Sequence, residues 1–131
     1  MLPNQNDSSV FIRDELYATT IYKIFNTRFK MEISISDQLE FTVIKFNKKT
    51  LIGTETLEFQ DSIINLLDRG VNNIVIDLSM VEYVTSWAIG MLVHAFTTAT
   101  NRNAQFVLEG VAGKVRETLA KVRLDKVFQI R

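Results

Sequence analysis

The chain has 131 residues and no cysteine, which excludes a disulfide framework and a thiolate-held zinc site. It has one histidine, His94. Nucleophilic catalysis of the Ser-His-Asp or Cys-His kind therefore has a single candidate base. That residue falls in the middle of a predicted helix, where a satisfied structural imidazole is the simpler expectation. The five glycines form neither GxGxxG nor GxxxxGK[ST], so the usual phosphate cradles of nucleotide-binding proteins are missing. Carboxylate pairs such as Asp14-Glu15 lie in charged stretches and read as solvated. No enzyme activity, cofactor or metal is expected.

Charge of one sign is also missing, because fifteen basic residues balance fifteen acidic ones. No general field draws the chain to nucleic acid or to an acidic membrane. The basic residues that do cluster, Lys114, Arg116, Lys121, Arg123 and Lys126, are interspersed with Glu117 and Asp125 and have no aromatic neighbours for stacking on bases. They are expected to form a solvated helix face. The longest apolar run, from Trp87 to Phe96, is interrupted by His94 and reaches about half the length that a bilayer requires. Met1 to Ser9 is polar and shows no basic-then-apolar export pattern. The expected location is the cytoplasm, with no membrane insertion.

What is present is enough for one compact domain: 47% of the residues are apolar, and a chain of this length hides roughly two-thirds of its unfolded surface. Residues 1–30 are set apart as an N-terminal extension. Tyr17, Ile21, Ile24 and Phe25 stand there at helical spacing, which predicts a partly helical segment that packs on the domain or joins two copies as a homodimer. From residue 31 to 131 the periodicity alternates. Ile33 and Ile35, then Phe41, Val43 and Lys45, predict two strands paired as a hairpin across Ser36-Asp37-Gln38. A helix follows Thr54, with Phe59, Ile63, Leu66 and Leu67 inside and Gly70 at its C-terminal end. Ile74-Val75-Ile76-Asp77-Leu78 reads as a central strand covered on both faces.

A second helix begins at Thr85 or Ser86, with Ile89, Leu92, Val93 and Phe96 predicted to face inward. Gln105 to Leu108 then reads as a strand, Val111 to Val122 as a helix, and Lys126 to Ile130 as a last strand. The predicted order β-β-α-β-α-β-α-β gives a single α/β domain with helices packed on a mixed, mostly parallel sheet of about five strands.

The most informative stretch is Tyr83-Val84-Thr85-Ser86-Trp87-Ala88-Ile89-Gly90, where two hydroxyls and the only tryptophan meet at a helix entry. One hydroxyl is needed as a cap. A phosphate on Ser86 or Thr85 would also be favoured there, because a helix N-terminus presents free N–H groups and the positive end of the dipole. Trp87 either buries its indole under the sheet edge or presents it as an anchor to a partner.

These residues, in this order, resemble the STAS domain family, the sulfate-transporter and anti-sigma-factor-antagonist modules. The resemblance runs from about Met31 to Ile130 and rests on Ile74-Val75-Ile76-Asp77-Leu78-Ser79, on Val81, Tyr83, Val84, Ser86, Ile89 and Gly90, on Gln105 to Gly110 and on Leu124 to Phe128. It implies a regulatory protein-interaction module. Its expected partner is an anti-sigma factor that is also a serine kinase, and phosphorylation at the start of the second helix would abolish binding. The implied phosphorylation candidates are Ser86 and Thr85, and the implied partner surface includes Gly53, Thr54, Glu82, Tyr83 and Trp87. The family motif Asp-Ser-Ser-Gly-Leu-Gly reads Thr85-Ser86-Trp87-Ala88-Ile89-Gly90 here, and the family's acid before the first helix falls near Leu51. Both acids are replaced. The alternative implied role is therefore a constitutive, non-phosphorylated scaffold in a stressosome-like or transporter-associated complex.

Overall fold

A computed structural model describes residues 33–131, so the partly helical extension expected over 1–30 lies outside the described residues. The elements are β1 Ile33–Asp37, β2 Thr42–Phe46, β3 Thr50–Leu51, α1 Thr56–Asp68, β4 Asn73–Asp77, β5 Tyr83–Val84, α2 Ser86–Asn101, β6 Gln105–Glu109, α3 Gly113–Lys121, a 3-10 turn Leu124–Lys126, and β7 Gln129–Ile130. Five strands form one sheet in the order β1-β2-β4-β6-β7. Only the β1–β2 pair is antiparallel. This is the predicted mixed, mostly parallel sheet, with β4 at its centre.

After the hairpin every crossover steps the same way across the sheet, from β2 to β4, β6 and β7. Right-handed connections then place α1, α2 and α3 on one face. The core agrees with that rule. Ile44, Phe46, Ile74, Ile76, Phe106 and Leu108 share a cluster with Phe59 and Ile63 of α1, Leu92 of α2, and Val115 and Leu119 of α3. Each fully buried Ile, Leu or Phe among them contributes about 1.5–3 kcal/mol. Ile74, Val75 and Ile76 are all buried, which explains why that stretch is continuously apolar instead of alternating.

Helix α1 ends as its sequence predicts. Gly70 has φ +89°, its N–H donates to the Leu67 carbonyl, and the Val71 N–H donates to Leu66. These are the two bonds of a Schellman cap, and the left-handed residue between them suits glycine. Gln60 Nε2 donates to the Met91 carbonyl at 3.2 Å, and Arg102 pairs with Asp68 at 2.7 Å. Helices α1 and α2 therefore run side by side and parallel, with both N-termini at the same end of the sheet.

Four expectations are corrected or completed by the structure. The hairpin turns at residues 38–41, where the Gln38 N–H donates to the Phe41 carbonyl, because the ladder runs on to the Asp37–Thr42 pair. Ile89 and Leu92 of α2 are buried as expected, Val93 and Phe96 pack half-buried against the same core, and Ala88, Met91, Ala95 and Ala99 complete the buried face. Alanines allow close approach to the sheet, and the larger side chains spread to the flanks of a helix that has neighbours on both sides. His94 is exposed, not a buried structural imidazole. The last strand is only Gln129–Ile130, since the chain first makes the 3-10 turn that drives Phe128 inward against Phe96 and Phe106, with ring centroids at 5.5 and 6.3 Å.

Candidate functional site

At the end of the sheet where α1 and α2 begin, two loops are joined by a small parallel ladder that the sequence did not reveal. β3 pairs with β5, Thr50 with Tyr83 and Leu51 with Val84. The N–H groups of Glu82 and Tyr83 both donate to the Lys49 carbonyl, and the Thr85 N–H donates to Leu51. The segment before α1 and the segment before α2 thus form one rigid surface. Gly53, Thr54, Glu82, Tyr83, Thr85, Ser86 and Trp87 all lie on these two segments or at their ends.

Thr85 is the N-cap of α2. Its hydroxyl accepts from the Ala88 N–H at 3.1 Å and donates its own proton to the Ile52 carbonyl. One side chain therefore satisfies an orphan amide of the helix and ties the helix to the opposite loop. Ser86, the first helical residue, is exposed.

Trp87 is 65% exposed, yet its root is fixed. Gly53 has φ +112°, and a Cβ on it would lie 2.8 Å from Trp87 Cγ and 3.2 Å from Trp87 Cβ. The indole occupies the space that any larger residue at 53 would need. The inner edge of Trp87 thus packs against the loop at Gly53, and the residue is otherwise exposed. Ile52, next to Gly53 in the loop, is partly exposed.

The residue that sequence reasoning missed is Glu55. It is 1% exposed, and its carboxylate accepts from the N–H groups of Gly53 (3.1 Å) and Ile52 (3.4 Å) and from the Thr54 hydroxyl (3.2 Å), while Lys48 Nζ lies at 3.1 Å. Burial pushes the carboxyl up, but backbone N–H groups and the Lys48 ammonium outweigh it and hold Glu55 below the usual glutamate value. Glu55 is also the N-cap residue of α1, without a side-chain cap bond; its side chain turns back to organise the loop, and the Thr56 hydroxyl donates to the Gly53 carbonyl. An acid thus does stand at this loop, four residues after Leu51. The signal was Lys48 and Glu55 on either side of a glycine turn. Lys114 was missed as well. Its Nζ donates to the Tyr83 hydroxyl at 3.0 Å, and that bond, with Glu82 nearby, raises its pKa.

A mostly parallel α/β sheet, helices on one face, and a hydroxyl-lined helix entry define the class that the comparisons identify. The STAS domain model matches residues 30–131, and the chain belongs to the STAS family. No curated protein sequence matches it. Among solved structures it is similar to a putative anti-sigma factor antagonist from Thermotoga maritima, with TM-score 0.68, 23% identity, and coverage of 76% of this chain and 86% of that one. It is similar also to an anti-sigma-factor antagonist (STAS) domain protein from Planctomyces limnophilus, with TM-score 0.65, 24% identity, and coverage of 76% and 87%. A third is the Bacillus cell fate determinant SpoIIAA in its phosphorylated form, with TM-score 0.59, 13% identity, and coverage of 76% and 90%. At these identities the likeness establishes the shared fold. No described helix is long and apolar enough to cross a membrane.

Proposed function

We propose that the chain is a cytoplasmic regulatory binding module of the anti-sigma factor antagonist kind. It docks a kinase-type anti-sigma factor on the surface formed by Gly53–Thr54 and Glu82–Trp87, with Ser86 as phosphoacceptor. The observation that carries this reading is the contrast between two adjacent hydroxyls. Thr85 is committed to the cap and to Ile52, whereas Ser86 is exposed at the same helix start, next to an exposed indole. A phosphate on Ser86 would add a charge of about −1.5 to −2. The dipole of α2 favours that charge in the free protein, and a dehydrated partner interface penalises it. One modification then separates a binding state from a non-binding state.

The test is incubation of the purified chain with a kinase-type anti-sigma factor and ATP, followed by peptide mass spectrometry over Thr85 and Ser86. A single phosphate on Ser86, together with binding that Ser86→Glu abolishes, is the expected result. A second reading, the constitutive scaffold, draws on Trp87, a large anchor where the family motif has its second serine. No phosphate, with stable binding that Trp87→Ala destroys, would favour that reading and overturn the switch.

A further inference from the structure

The two flanks of α2 carry different balances of charge. On one flank, Leu57, Asp61, Ile64 and Asp68 follow one another at i, i+4, i+7 and i+11 along α1, so they form a single outward ridge. Leu57 is 80% exposed and Ile64 43% exposed. Asp61 forms no ion pair with any described residue, and Asp68 is held by Arg102. On the other flank, a groove of about 510 Å³ runs along Ser86, Gly90, Val93 and Thr97 of α2 and is closed by Val122 and Leu124. The segment that supplies this second wall also carries Lys121, Arg123 and Lys126, all exposed and without an ion pair among the described residues, against the single acid Asp125.

Two backbone details shape the groove. Gly90 lies inside a helix, where glycine costs about 0.5–1 kcal/mol relative to alanine. A Cβ on it would meet nothing within 4 Å, so the packing of this domain does not require glycine there, and its absence of a side chain deepens the groove. Arg123 is the left-handed residue, φ +62°, that ends α3, with the Val122 and Arg123 N–H groups donating to the Leu119 and Ala120 carbonyls, and this turn sets Val122 and Leu124 as the second wall.

We propose that a second copy of this chain fills the groove. The acidic and apolar ridge of α1 in one molecule lies between α2 and the Val122–Leu124 wall of the next, with Leu57 and Ile64 as the anchors and Asp61 facing the basic segment. This is recognition of an amphipathic helix in a groove. Ridge and groove are on opposite flanks of α2, so the contact is heterologous and repeats head to tail. Ser86 lines one end of the groove, so a phosphate there would repel the acidic ridge. The test uses the unphosphorylated chain and contains no kinase, and its outcome is therefore separate from that of the kinase experiment.

Sedimentation velocity of the full chain over a wide concentration range is the measurement. The expected result is an average mass that grows beyond a dimer with concentration and falls with added salt. Gly90→Leu blocks the groove and Ile64→Asp spoils the ridge, so each variant alone should be monomeric, with circular dichroism confirming the fold. Mixed together they retain one intact groove and one intact ridge, and they should form a one-to-one dimer that grows no further. A pair of charge reversals, Asp61→Lys and Arg123→Glu, should each weaken association and restore it when combined in one chain. A wild-type chain that stays monomeric throughout, a mass that neither blocking variant lowers, or a mixture that stays monomeric would overturn the proposal, the first by leaving the groove to the acidic helix of another protein.

Discussion

Gly53 and Trp87 are packed so closely that the indole fills the space of the missing side chain, with 2.8 Å between an ideal Cβ at residue 53 and Trp87 Cγ. The contact joins the loop before α1 to the first turn of α2, and it makes the only tryptophan of the chain a reporter of the site. Gly53→Ala introduces both a steric conflict and a side chain at φ +112°. The expected outcome is a loss of about 1–3 kcal/mol, read by chemical denaturation, with a shift in tryptophan emission in the native state. Unchanged emission would show that the indole does not rest on Gly53 in solution.

Trp87→Ala should separate binding from stability. Most of the ring is exposed, so its removal should cost little folding free energy. An exposed aromatic anchor at the centre of an interface contributes about 2 kcal/mol or more to binding. Calorimetric titration against the partner should therefore show at least about a thirtyfold weaker Kd, given that 1.4 kcal/mol is about tenfold.

The two neighbouring hydroxyls should behave differently. Thr85→Val removes the cap of α2 and the bond to Ile52, at an expected cost of about 1–2 kcal/mol. Ser86→Ala changes an exposed first-turn residue and should fall within about 0.5 kcal/mol of the wild type. Thermal melts of both variants decide this, and equal losses would contradict the assignment of the cap to Thr85.

Glu55 gives a pH dependence whose sign is fixed by the direction of its shift. Its folded pKa is lowered, so its contribution is fully present above the ordinary glutamate value of about 4.3 and is lost as pH falls through the lower folded value. Urea midpoints measured downward from about pH 6 should decline in this range, and Glu55→Gln should flatten that part of the curve. Glu55→Ala breaks a buried pair and leaves the N–H groups of Ile52 and Gly53 without their acceptor. It should cost about 3 kcal/mol.

Gly90→Ala is expected to stabilise the domain by about 0.5–1 kcal/mol, because a mid-helix glycine with open space above it gains helix propensity and meets no clash. Denaturant midpoints of the variant and the wild type measure this. A destabilised variant would mean that something packs on Gly90 within the folded chain.

The sequence by itself determined the order of the three helices and of the five strands of the main sheet, the central place of β4 and the end of α1. These follow from local causes: an unbroken β-branched run at Ile74 to Ile76, the helical spacing of Phe59, Ile63 and Leu66, and a glycine at 70 that accepts a left-handed backbone. It also singled out Thr85, Ser86 and Trp87, because hydroxyls before an apolar helix signal a cap. Tertiary structure decided what each of them does. Thr85 was separated from Ser86 only when the Ile52 carbonyl came within reach, and Trp87 was half packed and half presented only because Gly53, thirty-four residues earlier, lies beneath it. Glu55 became the organiser of the loop because folding buried it against N–H groups and Lys48, a placement that no periodicity encodes. The short β3–β5 ladder and the inward turn of Phe128 were hidden for the same reason, since two-residue strands and a 3-10 turn have no pattern of their own and exist only where the rest of the fold holds them.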